Sequence, residues 1–216
     1  MKKFLLMLCA VMLVFGLVKS ANASIFNAGF ETGDLSGWTS GGQAGVQSDV
    51  VYEGNFAAWI GTVDFDNDGY NDFTNEEGTE GYTNNWISQT VDVTGMSTLS
   101  LWYNFYTWDY TGYDEPGFEI QINGSPVLSI NAADIDTTGD LDWTGWQLFT
   151  YDLTGYAGNT LDLTVYAGNT VDSSYQSWAY IDNTAPVPLP STILLMGTGL
   201  GCIGLFGRKA KKKITG

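Results

Sequence analysis

Every basic residue of this chain lies in its first 19 or last nine positions, whereas all 24 carboxylates lie between Glu31 and Asp182. The long interior therefore folds without one side-chain salt bridge, and its like charges repel one another and oppose compaction. Either carboxylate-bound metal cations or a salty medium help to hold such a body together, or the acids are dispersed over the surface and serve solubility. The same distribution excludes nucleic acid as a partner, because binding a polyanion needs cations to neutralise its phosphates. The chain has no histidine, and its two cysteines, Cys9 and Cys202, fall in apolar stretches near the ends. An interior lacking both residues has no disulfide, no thiol nucleophile and no Ser-His-Asp arrangement, and zinc there would have to be held by carboxylates alone.

The two ends read as sorting signals. Residues 1–23 comprise a Lys2-Lys3 start, an apolar core from Phe4 to Val18 and the small-residue run Ala21-Asn22-Ala23, the pattern of a signal peptide cut by signal peptidase before Ser24. A core of about 15 residues is shorter than the roughly 20 needed to span a bilayer, which argues against the alternative of a retained anchor. At the other end, residues 186–190 read Pro-Val-Pro-Leu-Pro, an extended and protease-accessible segment. An apolar stretch follows, giving a transmembrane helix over about 190–207, and then a basic tail over 208–213 that begins with Arg208 and Lys209 and holds its end in the cytoplasm.

This three-part tail, with Val187, Pro188 and Pro190 as its motif and Arg208 and Lys209 opening its basic stop, resembles the PEP-CTERM sorting signal. The resemblance implies processing by an exosortase at the inner membrane of an exopolysaccharide-producing Gram-negative bacterium. Leu189 stands where that signal usually carries Glu, a departure that bears on the exosortase subtype. The alternative is an ordinary tail anchor. The implied route is export through the inner membrane, transient anchoring there, and release to the cell surface or extracellular matrix.

Residues 24–185 remain as one domain large enough for a sizeable core. Segments 86–93, 98–108, 117–122, 126–130, 145–153, 160–166 and 177–181 are rich in β-branched and aromatic residues. Turn clusters such as Asn123-Gly124-Ser125 separate them, and helix signals are almost lacking. The pattern predicts an all-β fold, a single antiparallel β-sandwich. The pentapeptide Tyr-Ala-Gly-Asn-Thr occurs at 156–160 and again at 166–170, which reads as two similar strand ends rather than a repeat architecture.

Asn27-Ala-Gly-Phe-Glu31 followed by Gly33-Asp-Leu-Ser-Gly-Trp38, then Glu53-Gly-Asn-Phe-Ala57, then Asp152-Leu153 with Tyr156-Ala-Gly158, and finally Tyr180-Ile-Asp-Asn183 run in an order similar to that of carbohydrate-binding modules with the galactose-binding-like jelly-roll fold. That resemblance implies a structural calcium held by Glu31, Glu53 and Asp182, with carbonyls near Gly29 and Phe56. Calcium takes six to eight hard oxygens, so carboxylates and carbonyls suit it. The competing reading has Asp182 capping a turn and Glu31 solvated. A second candidate loop places Asp64, Asp66, Asp68 and Asp72 at positions 1, 3, 5 and 9 of an EF-hand-like spacing with Gly69 at position 6. Asn75 at position 12 and the lack of flanking helix patterns rule out a true EF-hand, leaving a calcium loop on the sandwich or an acidic exposed turn.

Alternation along the strand at 102–110 puts Trp102, Tyr106 and Trp108 on one face and Tyr103 and Phe105 on the other. If the first set is open to a groove, its rings, with Asn104, Asp109 and Gln121 beside them, form a stacking surface for sugars; Trp143, Trp146, Tyr175 and Trp178 could extend it. If both faces are buried, the rings are core. With 24 carboxylates some pair at glycosidase spacing is inevitable, so no pair is diagnostic, and the expectation is a protein that is not an enzyme. The expected role is binding of extracellular polysaccharide by a calcium-stabilised sandwich; the alternative is a structural or adhesive matrix protein with no specific sugar ligand. A contiguous row of at least two exposed rings favours the first, and wholly buried rings favour the second.

Overall fold

The computed structural model describes residues 25–62, 85–113, 116–135, 138, 140–156, 158–169 and 175–188. Among these residues eleven strands make two antiparallel sheets. They are β1 (Thr39–Gly41), β2 (Ala44–Gln47), β3 (Ala57–Gly61), β4 (Trp86–Asp92), β5 (Met96–Thr107), β6 (Phe118–Ile122), β7 (Ser125–Ile130), β8 (Asp142–Trp143), β9 (Gln147–Asp152), β10 (Thr160–Ala167) and β11 (Ser177–Pro188). One sheet runs β1-β4-β10-β6-β7, and the other runs β2-β3-β11-β5, with β8 and β9 sharing the free side of β5. All seven segments expected as strands are strands. The expectation missed the three early strands and the two-residue β8, which are short and lack β-branched runs.

Period-two burial builds the core. In β10, Leu161, Leu163, Val165 and Ala167 are buried while the residues between them are not, as a sheet with one wet face requires. Ile87 and Val91 of β4 and Phe118, Ile120 and Ile122 of β6 complete that inner face. The opposing sheet contributes Leu99, Leu101, Tyr103 and Phe105 from β5, with Ala179 and Ile181 from β11. Phe118 bridges the layers, its ring centroid 4.9 Å from that of Tyr103 and 5.9 Å from that of Phe105. A fully buried ring of this size stabilises the fold by about 1.5–3 kcal/mol through area alone.

The chain passes between the sheets twice through the same turn. After β4, Asp92 Oδ1 accepts the Thr94 N–H at 2.9 Å; after β9, Asp152 Oδ1 accepts the Thr154 N–H at 2.7 Å. The Val93 N–H donates to the Asn159 carbonyl and the Leu153 N–H to the Ser97 carbonyl, both at 2.8 Å, so each crossover is tied to a neighbouring strand end. Between β6 and β7, Asn123 and Gly124 both take positive φ, 51° and 73°, the two-residue hairpin geometry that matches strand twist.

β11 is the central strand of its sheet. It pairs with β3 on one side and with β5 on the other. The β5 ladder continues through Ala185, Pro186, Val187 and Pro188, opposite Ser100, Leu99, Thr98 and Met96. The extended conformation expected of the Pro-rich segment is thus, as far as Pro188, that of a paired strand. Pro190, Arg208 and Lys209, the signal peptide and the candidate transmembrane helix lie outside the described residues, and among those described no helix is long and apolar enough to cross a membrane.

Candidate functional site

The outer face of the β11 sheet is built of aromatic rings. Ladder register sets Trp178 opposite Tyr106, Tyr180 opposite Asn104 and Asp182 opposite Trp102, and directly opposed residues project to the same face. Across β3, Trp59 stands opposite Tyr180 and opposite Gly45 of β2. Gly45 is needed there: a Cβ would sit 2.7 Å from the Trp59 indole nitrogen, so only glycine lets that indole lie across the strand.

Three rings from three adjacent strands form a tilted row. Trp178 and Tyr106 are 5.2 Å apart with planes 10° from parallel, and Tyr106 and Trp143 are 5.9 Å apart at 15°. Exposure rises along the row from 2 % at Trp178 through half-buried Tyr106 to 51 % at Trp143. A second group stands further along β5, where Tyr52 stacks on Trp102 at 3.9 Å and meets Trp146 edge-on at 5.8 Å. Trp108 lies just beyond β5 and packs half-buried against the Trp59, Trp178 and Tyr180 cluster. The face therefore holds a buried aromatic floor with exposed rings toward its margins.

Of the polar neighbours expected beside the rings, Asn104 is on this face but nearly buried, donating from Nδ2 to the Tyr106 hydroxyl at 3.2 Å, with its Oδ1 left unpartnered. Asp109 is buried, and its N–H donates to the Thr107 hydroxyl at 2.8 Å. Gln121 belongs to β6 in the other sheet, where it donates to Glu119 at 2.5 Å, so it does not join the face. Tyr52 and Trp59 escaped the sequence reading. Trp59 sits in a strand, Ala-Ala-Trp-Ile-Gly, that lacks a β-branched run, and nothing local distinguishes Tyr52 from any loop tyrosine.

The fold gathers the three acids expected at the calcium position around one loop, at the start of the domain, before β3 and in β11. Asp182, wholly buried, accepts the Tyr52 and Glu53 N–H groups on Oδ2 at 2.9 and 3.0 Å and the Asn183 N–H on Oδ1 at 2.6 Å. Glu31 Oε1 accepts from the Asn55 and Phe56 N–H groups at 2.8 and 3.1 Å, and Oε2 from the Asn55 amide at 3.0 Å. Glu53 Oε2 accepts the Asn183 amide at 2.9 Å. Gly54 lies hard against the Glu31 carboxylate, where any Cβ would collide with it. Among the described residues no three acidic side chains converge as a metal-holding group; these carboxylates face amide donors. Hard anionic oxygens suit calcium chemically, and Asp64, Asp66, Asp68 and Asp72 lie outside the described residues.

No protein-family model matches the chain, and no curated protein matches it in sequence. Solved structures with similar folds include the carbohydrate-binding module TmCBM61 in complex with β-1,4-galactotriose, at 18 % identity and TM-score 0.45 over 78 % of this chain and all of that one. The K1 cleaved adhesin domain of Lys-gingipain from Porphyromonas gingivalis matches at 14 % identity and TM-score 0.46, over 74 % of this chain and 96 % of its own. The first family 27 module of Caldicellulosiruptor saccharolyticus with mannohexaose matches at 16 % and 0.41, over 76 % and 96 %.

Burial raises the Asp182 carboxyl above its usual range, and the Glu31 charge adds to the rise, while N–H groups of Glu53, Asn183 and Tyr52 oppose it. Hydrogen bonds from the Asn55 N–H, the Asn55 amide and the Phe56 N–H hold Glu31 below its usual range. The two act in opposite directions. A raised folded-state pKa makes ionisation of Asp182 destabilising as pH rises through it, whereas Glu31 contributes stability above its unfolded pKa that is lost on acidification. Asp182→Asn should therefore gain stability relative to the wild type as pH rises from about 4 to 7. Paired thermal melts across that window check it, and a difference that stays flat or shrinks with pH would refute the assignment.

Proposed function

We propose that the protein is an exported glycan-binding protein of the galactose-binding-like jelly-roll type, which engages polysaccharide of the cell surface or extracellular matrix through the aromatic face of the β11 sheet. One observation carries this reading. A monomeric sandwich needs one inner face for its core, and this chain has in addition an outer face of rings that leaves Trp143 at 51 % and Tyr52 at 40 % exposure. Rings of this kind, apolar on their faces and polar at one end, suit sugars, whose C–H faces stack while hydroxyls hydrogen-bond. The reading is of a binding surface without catalysis; Asn104 and Asp109 beside the rings are buried.

An exposed ring and a floor ring should behave oppositely. Trp143→Ala should weaken binding to a neutral polysaccharide by about tenfold with little change in melting temperature, whereas Trp178→Ala should cost about 3–5 kcal/mol of stability. Affinity electrophoresis beside thermal melts separates the two. Binding should also persist in high salt, because stacking is less screened than ion pairing. Destabilisation by every ring substitution, or binding that vanishes in salt, would instead support the structural or adhesive matrix role.

The same proposal includes calcium at Glu31, Glu53 and Asp182, supported by a buried acid in a body, residues 24–185, that contains no Lys or Arg. Bound calcium would neutralise the charges crowded there. Calcium held only by the folded state raises stability by about 2.7 kcal/mol at a hundredfold excess over Kd. Melts in chelator and in millimolar calcium should differ accordingly, and a monovalent salt of equal ionic strength that reproduces the whole shift would leave only screening.

Export and processing rest on the sequence ends. Signal peptidase cleavage before Ser24 is the reading of residues 1–23, and transient membrane anchoring with exosortase cleavage near the Pro-rich motif is that of the three-part tail. Mass spectrometry of the released protein should find no peptide spanning Lys209 to Lys213; intact C-terminal peptides in that fraction would count against exosortase handling.

A further inference from the structure

Strand alternation points Trp102 toward the aromatic face, yet its ring is already covered. Tyr52 lies on it, planes 17° from parallel and centroids 3.9 Å apart. Tyr52 is 40 % exposed with one ring face against this indole and its ring edge-on to Trp146.

What holds Tyr52 there is a set of side chains reaching into its loop. Between β2 and β3 the loop amides are taken from three directions. Gln47 Oε1 accepts the Asp49 and Val50 N–H groups at 2.5 and 2.8 Å, Asp182 Oδ2 accepts those of Tyr52 and Glu53, and Glu31 Oε1 accepts those of Asn55 and Phe56. Asp182 is placed for this because it stands opposite Trp102 in the β11–β5 ladder. One β11 residue therefore fixes the Tyr52 backbone beside the indole on which the Tyr52 ring lies.

We infer that Tyr52, rather than Trp102, is the ring a bound glycan meets at this end of the face, and that Asp182 is its positioning residue. This rests on the glycan-binding reading. A ring already stacked on an indole and tied at its own amide loses little freedom when a sugar docks, which favours binding. Tyr52 and Trp143 then mark two ends of the site. Their partners Trp102 and Tyr106 are four residues apart on β5, about 13 Å at roughly 3.3 Å per residue, a span longer than one pyranose. The matching ligand is an extended oligosaccharide, and a neutral one, because the domain offers an anionic sugar no cationic side chain.

The test uses the full chain purified in detergent, with mannohexaose as the probe and near-ultraviolet circular dichroism to report the Tyr52–Trp102 stack. Tyr52→Ala should remove the stacking signature and weaken mannohexaose binding about tenfold without lowering the melting temperature. Asp182→Ala should reproduce both losses, and Asp182→Asn, which keeps an acceptor oxygen, should restore the signature and most of the affinity. Because Tyr52→Ala alters only a surface ring, it decides the binding role even if Asp182→Ala fails to fold. Unchanged affinity in Tyr52→Ala, beside a loss in Trp143→Ala, would overturn Tyr52 as a contact while leaving the glycan reading intact. An Asp182→Asn variant that folds but lacks the signature would overturn the positioning role. If the wild type binds neither mannohexaose nor β-1,4-galactotriose, the binding role of Tyr52 falls with the glycan reading, and the dichroism alone decides whether Asp182 holds the stack.

Discussion

A domain with 24 carboxylates and no internal cation has one main class of donor for its acids, the backbone N–H. The fold is organised around that restriction. Asp182, wholly buried, takes three such groups; Glu31 takes two with a side-chain amide; Asp92 and Asp152 each take one at the turns where the chain crosses between sheets. Hydrogen bonds to an ionised acceptor are about twice as strong as neutral ones. In each case the acid fixes the path of a loop; at Glu31, Asp92 and Asp152 the donors hold the pKa down, so there the charge itself fastens the fold, whereas burial raises that of Asp182.

β11 carries these effects from one side of the sheet to the other. Its Ala179 and Ile181 enter the core, while Trp178, Tyr180 and Asp182 stand on the outer face, against Tyr106, Asn104 and Trp102 of β5. Over Trp178–Ile181 the strand is paired on both sides, with β3 and with β5. Trp102, Tyr106, Trp108 and Trp146 lie half-buried around the buried Trp59, Trp178 and Tyr180, and Tyr52 and Trp143 are more exposed than they are. That gradient separates rings that hold the sheet together from rings free to meet a ligand, and Asp182, one of the proposed calcium acids, stands directly opposite Trp102.

The strand pattern was legible because burial on one face of a sheet leaves a period of two in the sequence, and 86–93, 98–108 and 160–166 carry it plainly. The early strands left little trace. β1 and β2 are three and four residues long, and both hold glycines that exist to make room for tryptophans on neighbouring strands, Gly41 for Trp86 and Gly45 for Trp59. Such a glycine reads locally as a turn. Gln121, expected beside the rings, occupies the opposite sheet, because pairing partners in a sandwich are decided by crossovers rather than by distance along the chain.

The sequence by itself determined the segregation of charge, the exclusion of histidine and thiol chemistry from the interior, the all-β character, and the division of Trp102 and Tyr106 from Tyr103 and Phe105. Each follows from residue type or from a two-residue period, which are local properties. Which ring would be covered and which left open was decided only when β2, β3, β11, β5 and β8 were laid side by side. Exposure of Trp143 depends on its place at the margin, burial of Trp178 on its place at the centre, and the position of Tyr52 on a carboxylate 130 residues away in the chain. Those are relations across strands, and a linear pattern carries no record of them.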